Sequence, residues 1–434
     1  MPRTPATSDA QLGVILESAP GSTPHKPGDT ISGRVYRTAA GVAPEARVTV
    51  TIHGRCKSKM EIRRGNSTST YRSRFNALSA PVETQVLMAG MPLHIPGGSE
   101  GESWPFAIAI PPLVSDIRSE WQRKYFACPG GSDATFPPPP SLFFKGDSWF
   151  SGKEYHAFTE YYVEAKLYLL HQHNGSNVRD TYTATAPFPL ENAYLGPPIS
   201  EGGFKMMAYS RRDTVSTYHL VPGTGELSFG QKTRKALGSS KVPKLTFELT
   251  ISLPRILQIG NKNTIPVTLG ITSVNTTTSE IIYDIPQDVM ITSVRIRVKA
   301  NTSVQAERHS ASDSSPGVRL GPIDPFRALG QNICIPVIPG PGAGPSNPLN
   351  IGEILGIRMP NGGLHPDLVT YNITRTHMLK WDVEGTIAGE KFQLGSAHRV
   401  KILPRAAESE VVVESLPGYS AGGTGKEDLP AYSG

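Results

Sequence analysis

The sequence predicts an all-β protein in which two tandem immunoglobulin-like β-sandwich domains precede a disordered C-terminal tail. Glycine and proline are abundant, at 43 and 39 of 434 residues, which is typical of many turns between short strands. In several segments apolar residues recur at every second position, the period of a sheet with one buried face. The length is sufficient for two or three domains, each with a core of its own.

The first predicted sandwich spans residues 10–195. In residues 46–53 alanine, valine and isoleucine alternate with polar side chains, and in residues 161–169 the apolar residues again fall on one face. Turn residues separate these segments from others of similar composition. The clearest strands are therefore predicted at residues 12–16, 30–36, 47–54, 104–110 and 161–171.

Residues 111–150 interrupt this series of strands and are interpreted as an insertion. Ile117, Trp121 and Tyr125 recur every four residues after Ser115-Asp116, which predicts a short amphipathic helix with an N-cap at that dipeptide. Packing of this helix on the sandwich is the favoured interpretation. Contact of Trp121 and Phe126 with a membrane or a partner is the alternative.

The second predicted sandwich spans residues 196–405 and follows a short linker that contains two prolines. Its clearest strands are expected at residues 244–253, 265–272, 290–300, 370–383 and 398–403. Segments rich in polar residues, glycine, serine or proline predict exposed loops at residues 210–217, 231–241, 307–316 and 340–348.

The formal net charge is +6, but it is divided unevenly along the chain. Residues 406–434 carry five acidic side chains and one lysine, so the rest of the chain has a formal charge of +10. A basic body favours binding of an anionic lipid surface or of phosphorylated protein tails. No nucleic-acid-binding motif accompanies the charge, so nucleic acid is not an expected partner. A diffuse charge excess that serves only solubility is the alternative.

Other classes of protein find little support in the sequence. Three widely spaced cysteines fit a reducing compartment better than a disulfide framework. The N-terminal residues lack the apolar core of a signal peptide, and no apolar run has the length that a bilayer requires, so we expect a cytoplasmic protein. No motif of a catalytic, metal or cofactor site stands out, and the sequence does not favour an enzyme.

The tail, residues 406–434, contains the pattern Leu-Pro-x-Tyr twice among glycine, serine and acidic residues. Proline favours the polyproline II helix, whose three-residue turn places the leucine and the tyrosine along one edge. Aromatic-lined grooves of the WW and SH3 type bind such an edge. The candidate residues for binding a WW domain are Leu416, Pro417, Tyr419, Leu429, Pro430 and Tyr432. Two unrelated turn prolines, each with a nearby tyrosine, are the alternative.

Several segments, in their order along the chain, resemble strands of the arrestin-related proteins, in particular the fungal α-arrestins. Residues 27–35 resemble the early turn and strand of the arrestin N-terminal domain, with the pattern P-G-x-x-I-x-G-x-V, and residues 48–54 resemble the strand that follows. Residues 104–111 resemble the strand P-F-x-x-x-x-P, and residues 161–167 the strand Y-x-V-x-A-x-L. Residues 372–380 resemble the penultimate strand of the arrestin C-terminal domain.

This resemblance implies two arrestin-type sandwich domains and an adaptor with no catalysis of its own. Such a protein lies at the plasma membrane or on endosomes, recognises transporters or receptor tails, and recruits a WW-domain HECT ubiquitin ligase for ubiquitination and endocytic sorting. A structural coat or sorting subunit of the endosomal pathway, without ligase recruitment, is the alternative. The tail departs from the commonest ligase-binding motif, because leucine stands where P-P-x-Y has its first proline. We expect this change to weaken docking, and a second copy to recover affinity.

Overall fold

The computed structural model describes residues 3–17, 24–78, 84–131, 133, 135–148, 152–173, 176–191, 196–341, 344, 346–360 and 362–406. The fold is mostly β and contains several antiparallel sheets, as the sequence predicts. We call residues 3–191 the N-terminal block and residues 196–406 the C-terminal block. Within the described ranges, each hydrogen-bonded sheet takes all its strands from one block, and no helix has the length and apolar character needed to cross a membrane.

The N-terminal block contains eleven named strands and one short helix. The strands are β1 Gly13–Leu16, β2 Thr30–Arg37, β3 Gly41–Arg64, β4 Ser67–Asn76, β5 Thr84–Ile95, β6 Glu102–Ala109, β7 Val114–Ser115, β8 Thr135–Phe136, β9 Leu142–Ser148, β10 Lys153–His173 and β11 Ser176–Phe188. The helix α1 spans Glu120–Arg123.

The C-terminal block contains the remaining named strands and three short α-helices. The strands are β12 Met206–Ser216, β13 Lys244–Pro254, β14 Ile256–Gln258, β15 Thr268–Ser273, β16 Gln287–Ala306, β17 His309–Ser314, β18 Val318–Arg319, β19 Ile333–Val337, β20 Leu349–Asn350, β21 Leu368–Val369, β22 Ile373–Ile387 and β23 Glu390–Leu403. The helices are α2 Phe229–Ala236, α3 Pro325–Leu329 and α4 Ile351–Ile354, and single 3₁₀ turns lie at Glu201–Gly203, Tyr218–Leu220, Asn275–Thr277 and Glu280–Ile282.

Two sheets of the N-terminal block share one hydrophobic core. The smaller sheet has the order β1–β2–β6, and the larger has the order β11–β10–β3–β4, with β5 beside β3 and β9 beside β10. Ile31 and Phe106 of the smaller sheet belong to the same buried cluster as Ile52 and Val163 of the larger one. The apolar face of each sheet is therefore removed from water by the other, which is the main source of its stability.

The C-terminal block is organised in the same manner. One sheet has the order β12–β13–β15–β20, and the other has the order β14–β23–β22–β16–β17, with β18 and β19 beside β16 and β21 beside β22. All these strand pairs are antiparallel except β14 with β23. Phe247 and Ile271 of the first sheet share a buried cluster with Ile296 and Trp381 of the second.

A third, smaller apolar cluster joins the two blocks. Met60 on β3 and Tyr155 on β10 are fully buried in it together with Val304 and Ile373 from the C-terminal block. Polar contacts reinforce it, since the Ser58 hydroxyl donates to the Gln305 carbonyl at 2.6 Å. Apolar burial and hydrogen bonds that involve side chains thus connect the two blocks.

Two strands are much longer than the sequence predicts. β3 has 24 residues and β10 has 21, whereas the predicted strands covered only residues 47–54 and 161–171. The two strands pair continuously from Glu45↔Leu170 to Ile62↔Lys153. Beyond residue 54 the inward positions of β3 include Cys56 and Ser58, which are fully buried but weakly apolar, so the pattern fades while the strand continues.

The predicted helix of residues 111–150 exists but begins later than expected. The N-cap of α1 is Ser119, whose hydroxyl accepts a hydrogen bond from the Gln122 N–H, and not Ser115-Asp116. The Asp116 carboxylate is occupied elsewhere, because it accepts hydrogen bonds from the Arg118 side chain at 2.9 and 3.0 Å.

The helix α1 buries none of its own residues, and the residues on either side of it attach the segment 111–150 to the N-terminal block. Phe126 is buried and Ile117 packs against the N-terminal core, whereas Trp121 remains 43% exposed. Its last part is not an insertion, because β9 pairs with β10 from Leu142↔Thr159 onward.

Three of the four predicted loops are regular elements, so these predictions were wrong. Residues 210–217 belong largely to β12, residues 231–241 overlap α2, and residues 307–316 contain β17. Strands β12 and β17 lie at sheet edges with most side chains exposed, so they carry no apolar alternation. The described residues of 340–348 form no strand or helix, as predicted.

Candidate functional site: a basic sheet face

The six tail residues predicted to bind a WW domain lie outside the described residues, which end at 406. These residues are Leu416, Pro417, Tyr419, Leu429, Pro430 and Tyr432. Their role stays a prediction from the sequence. The feature of the described chain that bears on binding is a concentration of positive charge on the N-terminal block.

Five neighbouring cationic side chains form a cluster on the outer face of the sheet formed by β3, β4 and β10. On β3 the odd-numbered residues face outward, because the even-numbered ones from Ile52 to Ile62 are buried. The register places Lys57 opposite Arg74 and Lys59 opposite Arg72 on β4. We call this surface the basic face; its members are Arg55, Lys57, Lys59, Arg72 and Arg74.

Only part of this charge is neutralised. Arg55 forms an ion pair with Glu160, and Lys59 Nζ lies 2.5 Å from Glu61 Oε1. Within the described part of the chain, Lys57, Arg72 and Arg74 form no ion pair with a carboxylate. Three positive charges are therefore available to a ligand on adjacent strands.

The pKa of the Lys57 ammonium reflects this crowding. Burial lowers the pKa most, and the neighbouring charges of Arg55 and Arg74 lower it further, against the opposing effect of Glu160. A bound anion would relieve the repulsion among these cations. The electrostatics of the basic face thus favour a negatively charged partner.

Aromatic side chains border the basic face on β9 and β10. Phe158 on β10 is fully buried between Lys57 on one side and Phe143 of β9 on the other. Phe143 is 48% exposed, and the Arg3 guanidinium carbon lies 4.5 Å from its ring centroid. A partner with both anionic and apolar groups, such as a lipid surface or an acidic peptide, is complementary to this combination.

No protein-family model matches this chain, and no curated protein matches it.

Sequence reasoning found the excess charge but not its location. The signal was present, because Lys57-x-Lys59 and Arg72-x-Arg74 each place two cations on one face of a strand. Residues 67–76 contain mostly polar side chains, and β4 was not predicted as a strand, so its pairing with β3 could not be inferred. The basic face forms only when the two segments pair.

Proposed function

We propose that this chain is an arrestin-like adaptor with no catalytic activity of its own. In this proposal two immunoglobulin-like, arrestin-type β-sandwiches recognise plasma-membrane cargo such as transporters or receptor tails. The tail recruits a WW-domain HECT ubiquitin ligase, which ubiquitinates the cargo for endocytic sorting. The observation that carries the proposal is the paired Leu-Pro-x-Tyr pattern in an acidic tail behind a basic body.

The organisation of the body supports this proposal. Each block has two sheets around a common core, and the cluster containing Met60 and Ile373 holds the blocks in contact. A rigid body of this kind can bind one partner while an extended segment of the same chain binds another. Binding would require no ordering of the body, which keeps its entropic cost low.

The basic face supports a location at a membrane surface. Its three unpaired cations and the exposed Phe143 suit anionic lipid head groups or acidic, phosphorylated cargo tails. Near an anionic surface each such cation contributes on the order of 1 kcal/mol to binding. We therefore propose a peripheral protein of the cytoplasm, located at the plasma membrane or endosomes.

The spacing of the tail motifs suits a ligase with several WW domains. Tyr419 and Tyr432 are thirteen residues apart. A flexible chain of this length spans roughly 20 Å. Binding of the second motif is then intramolecular, so two weak contacts give a larger overall affinity.

A pull-down with immobilised WW domains tests the recruitment step. The tail variant, Tyr419→Ala/Tyr432→Ala in the full-length chain, removes the aromatic residue of both motifs. We expect it to lose binding that the wild-type chain shows. The matched control Tyr125→Ala removes an exposed tyrosine of the body and should bind as wild type. Equal binding by the tail variant and the wild type would refute ligase recruitment through these motifs.

Deletion of residues 406–434 separates the adaptor from a coat or sorting subunit. An adaptor of this design should fail to sort its cargo without the tail. Cargo sorting that persists after the deletion favours the coat subunit.

A further inference from the structure

On the inward face of the C-terminal sheet that contains β16 and β22, a group of buried polar residues lies between two apolar clusters. On β22 the inward residues run from Ile373, in the cluster that joins the blocks, to Leu379, in the C-terminal core. Between them stand Arg375 and His377, which are both buried. On β16 the register places Thr302 opposite Arg375.

A cavity of about 280 Å³ lies over these buried polar residues. Arg375, His377 and Thr302 line it, together with residues 313 and 315–318 after β16 and residues 363–365 before β21. Phe144 of β9 closes it from the N-terminal block. The volume suits a small ligand, since pockets for drug-sized molecules begin at roughly 300 Å³.

The Arg375 guanidinium is an unusual group to find at this position. Arg375 is only 7% exposed, and its Nε donates a hydrogen bond to the Thr302 hydroxyl at 3.1 Å. Nη1 is buried and has no hydrogen-bond partner among the described residues, and no described carboxylate forms an ion pair with the group. A buried cation without a counter-charge is costly, so this position favours the binding of an anion.

Two histidines accompany Arg375. His377 is fully buried; its Nδ1 lies 2.6 Å from Asp367 Oδ1, and its Nε2 has no partner among the described residues. His365 lines the same cavity as Arg375 and His377. Burial lowers the pKa of His365, and the charges of Arg375 and His377 lower it further. Two carboxylates are near: Asp367 is bound to His377, and Asp313 is at an exposed part of the cavity wall.

We propose that this cavity binds a phosphate monoester, with Arg375 as the principal ligand and Thr302 and His377 as further hydrogen-bonding groups. The guanidinium group presents parallel N–H donors that match two oxygens of one phosphate. The Thr302 hydroxyl can add a further donor. Because the His377 Nδ1–H donates to Asp367, His377 Nε2 donates to the anion only when the imidazole is protonated. This inference is independent of the proposed adaptor function.

Calorimetric titration of the full-length chain with inorganic phosphate, at constant ionic strength and with chloride as the reference anion, tests the proposal. We expect Arg375→Met to weaken phosphate binding at least tenfold. Arg297→Met is the matched control, because Arg297 is an exposed arginine of β16 outside the cavity lining. Undetectable binding by the wild type, or equal affinity in Arg375→Met, would overturn the proposal.

A second variant keeps the test decisive if Arg375→Met fails to fold. Ala300→Leu adds bulk at the cavity wall and retains the Arg375 charge. It should also weaken phosphate binding at least tenfold, and unaltered binding would contradict the proposed site.

Vesicles distinguish a lipid head group from free phosphate as the source of the ligand. Phosphatidylinositol 4-phosphate carries a phosphate monoester, whereas phosphatidylserine supplies negative charge without one. Binding that prefers the phosphoinositide and depends on Arg375 assigns the lipid head group. Equal sedimentation with both vesicles at matched charge, with phosphate binding in solution retained, assigns the free anion.

Discussion

His398 illustrates how burial alone changes the chemistry of a side chain. Its imidazole stacks on the ring of Tyr209 with 3.8 Å between centroids, and neither ring nitrogen has a hydrogen-bond partner among the described residues. Burial lowers the pKa of His398 to about 4. The neutral ring is therefore the form that the folded protein accommodates.

This lowered pKa predicts a loss of stability in acid. The unfolded chain binds a proton at His398 near the ordinary pKa of 6.5, and the folded chain only near 4. The contribution of His398 to the free energy of unfolding should therefore fall as the pH decreases from 6.5 to 4, and it should change little above pH 6.5. Thermal unfolding across this pH range should show a smaller pH dependence for His398→Gln than for the wild type.

The exposed His94 provides the matched control for that measurement. His94→Gln should retain the pH dependence of the wild type. If both histidine variants have the same pH profile, burial does not control the protonation of His398.

At the scale of single residues, the proposed phosphate-binding cavity could not be predicted from the sequence. Arg375 and Thr302 are 73 positions apart, and nothing local marks their pairing. An arginine between two threonines on a predicted strand is equally compatible with an exposed position. Only the register of β16 and β22 shows that it faces inward.

Among the elements, every segment predicted as a strand overlaps a strand of the structure. Residues 244–253, predicted from five apolar positions on one face, correspond to β13, Lys244–Pro254. The edge strand β12 was missed, because most of its side chains are exposed and its sequence shows no apolar alternation. Local sequence therefore predicts the central strands of a sheet better than its margins.

The cluster between the blocks gives a prediction for β3. Met60 is fully buried against the C-terminal block, and truncation to alanine should leave a cavity. We expect Met60→Ala to lower the free energy of unfolding by about 2–5 kcal/mol. Denaturant unfolding measures this change.

Met207→Ala is the control, because Met207 on β12 is 44% exposed. Its effect should stay within about 0.5 kcal/mol. Equal effects of the two substitutions would contradict the close packing of the blocks around Met60.

Across the whole molecule, composition predicted a basic body and an acidic tail, and the basic face gives the body's charge a location. Net charge alone could not distinguish positive charge concentrated on one surface from positive charge spread over the whole body. The distinction depends on which strands are neighbours, and this is set by long-range pairing. The proposed adaptor function requires two separable activities, one in the body and one in the tail.

A basic-face variant separates these activities. It carries Lys57→Gln, Arg72→Gln and Arg74→Gln, which remove the three cations without ion-pair partners among the described residues. A control variant with glutamine at Lys232, Arg234 and Lys391, which are exposed in the C-terminal block, removes the same charge.

Vesicle co-sedimentation of a WW-domain protein, with and without the full-length chain, tests most directly whether the chain bridges a membrane and a ligase. On anionic vesicles the wild type and the control variant should carry the WW-domain protein into the pellet. The basic-face variant should leave the vesicles but still bind WW domains, and the tail variant should bind vesicles but leave the WW-domain protein in solution. Bridging that survives in both variants, or is absent in the wild type, would contradict the adaptor function.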